Sequence, residues 1–237
     1  MKVLIVYAHE EPRSFNGALK NTAIQTLEAQ GHTVVVSDLY RMQFKAVADA
    51  EDFLERRDKH FLKRQLEEKA AGELGTLAHD IVVEQEKLLA CDLLILQFPL
   101  WWFGMPAILK GWVDRVMTMG FAYGGGKWYD QGGLKGRRAM VCVSTGGPGM
   151  SYGPNRRNGD MDAILFPIQH GILYFCGFEV LPPFISYSPA HLEDAARKHL
   201  LQDYADRLSN LNAVAPLPFH PLEHFDAEMH LKSEHLS

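Results

Sequence analysis

Asp92–Gly104 reads DLLILQFPLWWFG. Its first half, LLILQF, is near-continuously apolar, the pattern of a parallel strand covered on both faces. The strand stops at Pro99 and runs into Trp101, Trp102 and Phe103. A strand end has no reason to carry so much ring surface unless something flat lies against it. In doubly wound α/β sheets ligands sit outside the carboxyl ends of the strands, so this loop is a platform for an aromatic cofactor.

Outward from this strand, apolar runs with strand character alternate with helical patterns, the signature of βαβ units and a parallel sheet. Strands are predicted at Lys2–Tyr7, Thr33–Ser37, Leu93–Phe98, Arg138–Ser144 and, shorter, Glu179–Pro182. Helices are predicted at Asn16–Gln30, Asp80–Ala90, Ala107–Met119, Asp160–Cys176 and Leu192–Asn210. Five strands and five helices in this order fit a flavodoxin-like doubly wound sheet with helices on both faces, whose switch point lies between the first and third strands. Residues 45–79 interrupt the rhythm: highly charged and without a strand, they predict a helical excursion or a long covering loop. The domain is expected to span 1–211. The tail, 212–237, has three prolines but also Phe219, Leu222, Phe225 and Met229, so it is expected to pack on the body or on a partner subunit.

The 237 residues are ample for a full core, and the formal net charge of -5 argues against nucleic acid. Cys91, Cys142 and Cys176 lie in or beside apolar runs without C-x-x-C spacing, as buried thiols of a reducing compartment do. The uncharged window Leu93–Leu109 is broken by Gln97, Pro99, Gly104 and Pro106, which excludes membrane insertion. The expectation is a cytoplasmic protein. The histidines show no metal-ligand spacing, so no metal is expected.

Three loops at the carboxyl edge carry the chemistry. After the first strand, AHEEPRSFN places Ser14 and Asn16 at a helix start, where backbone N–H groups and the helix dipole favour a phosphate; plain helix capping explains Ser14 as well. Neither a P-loop nor the dinucleotide-binding glycine fingerprint occurs. After the fourth strand, VSTGGPGMSYG offers the Thr145 hydroxyl and the Gly146–Gly147 backbone to a ligand. His9 follows the first strand directly, where it can contact phosphate or a ring, or satisfy a local hydrogen bond. With the platform after the third strand, these loops converge on one site.

At these loops the sequence resembles the FAD-dependent NAD(P)H:quinone oxidoreductases of the flavodoxin-like superfamily. The likeness runs to about Pro218 and is carried by AHEEPRSFN, SDLY, DIVVEQEKL, QFPLWWFGMPAILKGWVDRV, FAY, STGG, NGDM, PIQHGILYFCGF and DAAR. It implies FAD rather than FMN, with His9, Ser14, Phe15 and Asn16 at the pyrophosphate and neighbouring groups. Pro99, Leu100, Trp102 and Phe103 would support the isoalloxazine ring; Thr145, Gly146, Gly147 and Tyr152 would meet its polar edge. Gln65 and Arg197 match further FAD contacts. The family completes its site across a homodimer, with Tyr123 supplied by the second subunit. Trp102, Phe103, Tyr123 and Gly125 would border the substrate.

The implied reaction is ping-pong: hydride from NAD(P)H to flavin N5, departure of the nucleotide, then two electrons to a quinone. The Gly147 N–H and the Tyr152 hydroxyl are the implied stabilisers of charge near flavin N1 and O2, and Asn158 is the third implied catalytic residue. Two positions depart from the best-known family member. Asn158 stands where it has a His, as in the paralogue that prefers dihydronicotinamide riboside, and Gly125 stands where it has a second active-site Tyr. That paralogue's metal ligands map to His170, Tyr174 and Phe219, which retain one ligand of three. A flavodoxin-type electron carrier and a flavin-bearing regulatory subunit of a transporter are the rival readings.

Overall fold

The computed structural model describes residues 1–235. Its sheet is parallel, in the order β2 (Thr33–Asp38), β1 (Lys2–Tyr7), β3 (Leu93–Pro99), β4 (Arg138–Thr145), β5 (Glu179–Val180). The order reverses between β1 and β3, as the sequence predicts, so the platform after β3 stands at the switch point. All seven residues of β3 are buried. Leu94, Leu96 and Phe98 enter one core and Leu93 and Ile95 the other, because successive side chains of a strand point to opposite faces. Each such side chain contributes about 1.5–3 kcal/mol on burial. Helices α1 (Phe15–Ala29) and α6 (Asp194–Ser209) pack with Leu93 and Ile95; α3 (His79–Ala90), α4 (Ala107–Val116) and α5 (Met161–Ile168) cover the other face.

A sixth strand, β6 (Phe184–Tyr187), was not predicted. It pairs with β4 beyond β5, Cys142 opposite Phe184 through Thr145 opposite Tyr187. Pro182 and Pro183 have no N–H and split one edge strand into two short pieces. Two predicted helices also end early. Instead of reaching Met119, α4 stops at Val116, where the buried Gln85 amide donates to the Val116 carbonyl and the Thr118 hydroxyl, 2.9 Å each. The predicted Asp160–Cys176 helix contains Pro167 and widens after Ile168 into a π-turn over Gln169–Tyr174. There the Phe175 N–H reaches back to the His170 carbonyl at 3.0 Å.

The excursion holds α2 (Arg64–Leu74), with a small core of Phe53, Ala71, Leu77 and Ile81. It is clamped to α4 by Arg115, 1 % exposed, which donates to Asp52 at 2.8 Å, to Asp80 at 2.5 and 3.1 Å and to the Lys45 carbonyl at 2.9 Å. The tail lies along the body. Arg138 holds the Leu211 and Val214 carbonyls, and the Leu217 N–H donates to the Val180 carbonyl at 2.7 Å. Phe219 packs edge-on to His170 at 5.0 Å, and His170 stacks on Phe166 at 4.6 Å. His170, Tyr174 and Phe219 thus form an aromatic cluster whose burial pushes the His170 imidazole pKa down. Among the described residues no helix is long and apolar enough to cross a membrane, and no three His, Cys, Asp or Glu side chains form a metal-binding group.

Candidate active site

The loops after β1, β3 and β4 and the start of α6 enclose a cleft of about 830 Å³. Its floor is set by α1. Ser14 caps this helix in extended conformation, its hydroxyl accepting from the Gly17 N–H at 3.2 Å. Gly17 has no substitute, because a methyl there would lie 2.0 Å from the Pro12 carbonyl oxygen, folded back over the first turn. The N–H groups of Phe15 and Asn16 lack intrahelical acceptors, as at any helix start.

Asn16 is 3 % exposed, yet borders the cleft. Its amide donates to Ser144 Oγ at 2.8 Å, while Oδ1 has no partner among the described residues. Gln97, a fully buried polar residue in the otherwise apolar β3, donates to the Asn16 carbonyl at 2.5 Å. A buried amide is costly unless bonded; here it fixes the helix start to the strand that carries the platform.

His9 Nδ1 accepts from the Glu11 N–H at 3.0 Å. The local bond and a ligand role are therefore compatible, since this tautomer carries its proton on Nε2 as a donor. The His9 ring lies 6.3 Å from that of Trp101. Arg197 is steadied by the Leu192 carbonyl at 2.8 Å and by Asp194. It lines the cleft from α6 together with Lys198, and Arg13 lines it from the loop after β1.

Trp101 lines the cleft, whereas Trp102 and Phe103 stand at the tip of a tight turn. Trp101 and Gly104 exchange N–H···O=C bonds of 3.1 and 3.0 Å, with Trp102 at φ 52° and Phe103 at φ 58° between them. Two successive positive φ values define a type I′ turn, which favours Asn-Gly. Bulky aromatics there cost about 1–2 kcal/mol per residue. Trp102 is 99 % exposed, so burial of its side chain does not offset the strain. Backbone strain of this kind concentrates at functional sites.

Just beyond the cleft-lining Thr145 and Gly146, the three candidate catalytic residues meet. A methyl on Gly147 would lie 3.0 Å from Asn158 Nδ2 and 3.2 Å from the Tyr152 hydroxyl. Thr145 Oγ1 donates to the Gly147 carbonyl at 2.8 Å. Asn158 is carried back to this point by its own N–H, bonded to the Ser151 carbonyl at 2.9 Å.

Gln65, Tyr123 and Gly125 do not join this cleft within one chain. Gln65 and Tyr123 line a separate recess of about 380 Å³ with Arg64, Met117 and Phe175, and Gln65 Nε2 donates to the Tyr123 hydroxyl at 3.2 Å. Partial burial raises the Tyr123 phenol pKa against the Gln65 bond. Gly125 sits in the Gly124–Lys127 turn at φ 63°.

The family model for the flavodoxin-like fold matches residues 1–209. The chain is 46 % identical over 218 residues to a ribosyldihydronicotinamide dehydrogenase [quinone] of Pongo abelii, covering 92 % of this chain and 94 % of that one. It is 44 % identical over 226 residues to NAD(P)H dehydrogenase [quinone] 1 of Rattus norvegicus, covering 95 % and 82 %. The chain belongs to the quinone oxidoreductase family of the flavodoxin-like fold. A solved Klebsiella pneumoniae structure, provisionally assigned as a quinone reductase, superposes with a TM-score of 0.95 at 46 % identity, covering 99 % of this chain and 95 % of that one.

Within this quinone oxidoreductase fold the cleft includes residues the sequence did not single out: Arg13, Ser144, Pro189, Ala190, Asp194 and Lys198. Arg13 and Lys198 adjoin Ser14 and Arg197, and a basic residue beside a phosphate-binding candidate was a readable signal. Pro189 and Ala190 follow β6, so missing that strand hid them.

Proposed function

We propose that this chain is a flavin-dependent NAD(P)H:quinone oxidoreductase, reducing quinones by two electrons in a ping-pong cycle as an FAD-containing homodimer. The convergence of the β1, β3 and β4 loops on one cleft, with Gly147, Tyr152 and Asn158 gathered at its edge, carries the reading. When bound, the flavin supplies hydride acceptance from a nicotinamide and two-electron delivery to a quinone.

The residues present fit that group. The N–H groups of Phe15 and Asn16, the Ser14 hydroxyl and the His9 Nε2–H provide donors for a pyrophosphate at a helix start, and the buried Asn16 Oδ1 is an acceptor still to be satisfied. Pro99, Leu100 and the strained Trp102–Phe103 turn would support the ring. Arg197, Arg13 and Lys198 add basic side chains to the cleft, and the match of Arg197 to an FAD contact of the family favours FAD over FMN. Thr145 braces the glycine turn through the Gly147 carbonyl.

The Gly147 N–H, the Tyr152 hydroxyl and the Asn158 amide are the donors that would face the polar edge of a bound flavin and would stabilise negative charge there. Asn158 holds a hydrogen bond but cannot take up a proton, so this chain orients and stabilises there without a protein proton relay through residue 158. A second copy would bring Tyr123 over the open side, with Gly125, against the substrate, while Gln65, bonded to the Tyr123 hydroxyl, would reach FAD. Residues 1–211 form the flavin-binding unit, on which the tail from 212 packs.

Stopped-flow mixing with NADH, NADPH or dihydronicotinamide riboside, followed by menadione, tests the reading. Fast reduction by at least one donor and fast reoxidation by the quinone are expected. Slow turnover with all three donors would overturn it in favour of an electron carrier.

A further inference from the structure

Tyr187 ends β6, opposite Thr145 of β4. Its ring lies 5.5 Å from the Tyr152 ring, inclined by 38°. On its other flank it meets the glycine loop, where a methyl on Gly149 would come within 3.2 and 3.3 Å of its ring carbons. The ring therefore fills the space between the Gly149 backbone and Tyr152.

The segment just after Tyr187 is fastened to the floor of the site. The Ser188 N–H donates to the Thr145 carbonyl at 2.9 Å, and its hydroxyl to the Gly146 carbonyl at 3.2 Å. Ser188 takes φ 49°, a left-handed conformation unusual for a residue other than glycine and held only where the surroundings over-determine it. The Tyr152 backbone is held by its own loop, its N–H bonded to the Gly149 carbonyl at 3.0 Å and the Gly153 N–H to the Gly159 carbonyl at 2.9 Å, which leaves the direction of its side chain to be set by what packs against the ring. Burial, with Asp162, Tyr152 and Asp160 adding to it, raises the Tyr187 phenol pKa and keeps the ring neutral. No side-chain hydrogen bond ties Tyr187 to Tyr152 among the described residues, so the contact is one of packing.

A donor aimed at developing charge is effective only when its direction is fixed beforehand, which requires its own rotamer to be locked by packing. We propose that Tyr187 is a positioning residue: its ring buttresses Tyr152 and fixes the Tyr152 hydroxyl beside Gly147, at the polar edge of the flavin. The inference rests on the quinone reductase reading of Tyr152 and adds a dependence that the reading alone does not contain.

The test is a double-mutant cycle on the flavin-loaded protein, with two readouts: the flavin midpoint potential by spectroelectrochemistry and the single-turnover rate of reduction by NAD(P)H. Tyr187→Ala should slow reduction three- to tenfold and lower the midpoint potential in the same direction as Tyr152→Phe, with flavin content unchanged. Tyr187→Phe, which keeps the ring, should recover most of the loss. In the Tyr152→Phe background, Tyr187→Ala should add less than a further twofold. Tyr187→Leu serves in place of Tyr187→Ala should the latter fail to fold.

Independent, multiplying effects of the two substitutions would overturn the inference, as would a Tyr187→Phe protein as slow as Tyr187→Ala. So would wild-type rate and potential in Tyr187→Ala while Tyr152→Phe is impaired. If Tyr152→Phe itself leaves both readouts unchanged, the assigned role of Tyr152 falls, and the inference falls with it.

Discussion

A single methyl added at Gly147 or at Gly146 should separate chemistry from cofactor binding. At Gly147 it would lie 3.0 Å from Asn158 Nδ2 and 3.2 Å from the Tyr152 hydroxyl, against about 3.5–4.0 Å for a relaxed contact. Both donors must therefore retreat by about 0.5 Å from the edge they serve. Removing one preorganised donor costs about 2.7–4 kcal/mol of transition-state stabilisation. Displacing two without removing either should cost about 1.4–2 kcal/mol, roughly ten- to thirtyfold in rate. Gly147 has no left-handed φ, so Gly147→Ala carries no backbone penalty, and unfolding stability should stay within about 1 kcal/mol of wild type. At Gly146 a methyl meets nothing within 4 Å but enters the cleft. Gly146→Ala should fold normally and bind flavin about tenfold or more weakly, overpacking costing about 1–3 kcal/mol. Flavin titration of the apoprotein and single-turnover bleaching read the two effects. A Gly147→Ala protein with full flavin and wild-type bleaching would refute the donor cluster, and unchanged flavin affinity in Gly146→Ala would refute the placement of the ring.

Five further outcomes are expected. Trp102→Gly relieves one left-handed aromatic at about 1–2 kcal/mol but adds about 0.5–1 kcal/mol of glycine entropy; urea unfolding of the apoprotein should show unchanged or slightly higher stability while turnover falls, and a clear loss of stability would show that the turn is not strained. Arg115→Met takes away one of three cationic partners of buried Asp52, leaving Arg64 at 3.0 Å and Lys45 at 3.5 Å, and unpairs Asp80 and the Lys45 carbonyl, so it should cost about 1–3 kcal/mol, read as a lower urea midpoint; an unchanged midpoint would remove the clamp from the fold. Burial works to raise the Asp80 carboxyl pKa but is outweighed by the Arg115 bonds, which hold it below the usual value. The pair's contribution is thus complete above about pH 4, the unfolded carboxylate value, and is lost as pH falls through the lower folded value; Asp80→Asn should flatten that acid limb, and an unchanged limb would exclude it. Light scattering at micromolar concentration should give a dimer, and extracted cofactor should have the mass of FAD; a mass near the 26.7 kDa of one chain, or stoichiometric FMN, would defeat these two readings respectively.

The β-strand skeleton was legible because parallel strands buried on both faces leave uninterrupted apolar runs: β1, β3 and β4 match prediction to within a residue. β6 escaped because FISY is short and follows two prolines, and its partner strand is known only in the fold. The early end of α4 depends on Gln85, some thirty residues away, and no local period records such a bond. Of the cleft lining, Gly146, Ser14 and Trp101 of the aromatic run announced themselves by residue type at strand ends. Their relations did not: Asn16 with Ser144, Gln97 with the helix start, and Tyr187 behind Tyr152 are contacts across 128, 81 and 35 residues. Gln97 was the readable exception, an amide inside an apolar strand, a costly choice that calls for a buried partner.

The Leu217 bond to Val180 bears on how the molecule is made. A two-residue outer strand leaves carbonyls along which a foreign chain could extend the sheet. Leu217 takes one of them, and it lies between Pro216 and Pro218, which have no N–H to offer a newcomer. The tail is thus a terminator: it joins the margin of the sheet and ends its growth. Until residues 214–219 have left the ribosome this margin stays open, as one of the two outer edges of the sheet, the other being β2. A chain cut at Leu211 would bare this margin and should associate more readily than the full chain, as light scattering would show.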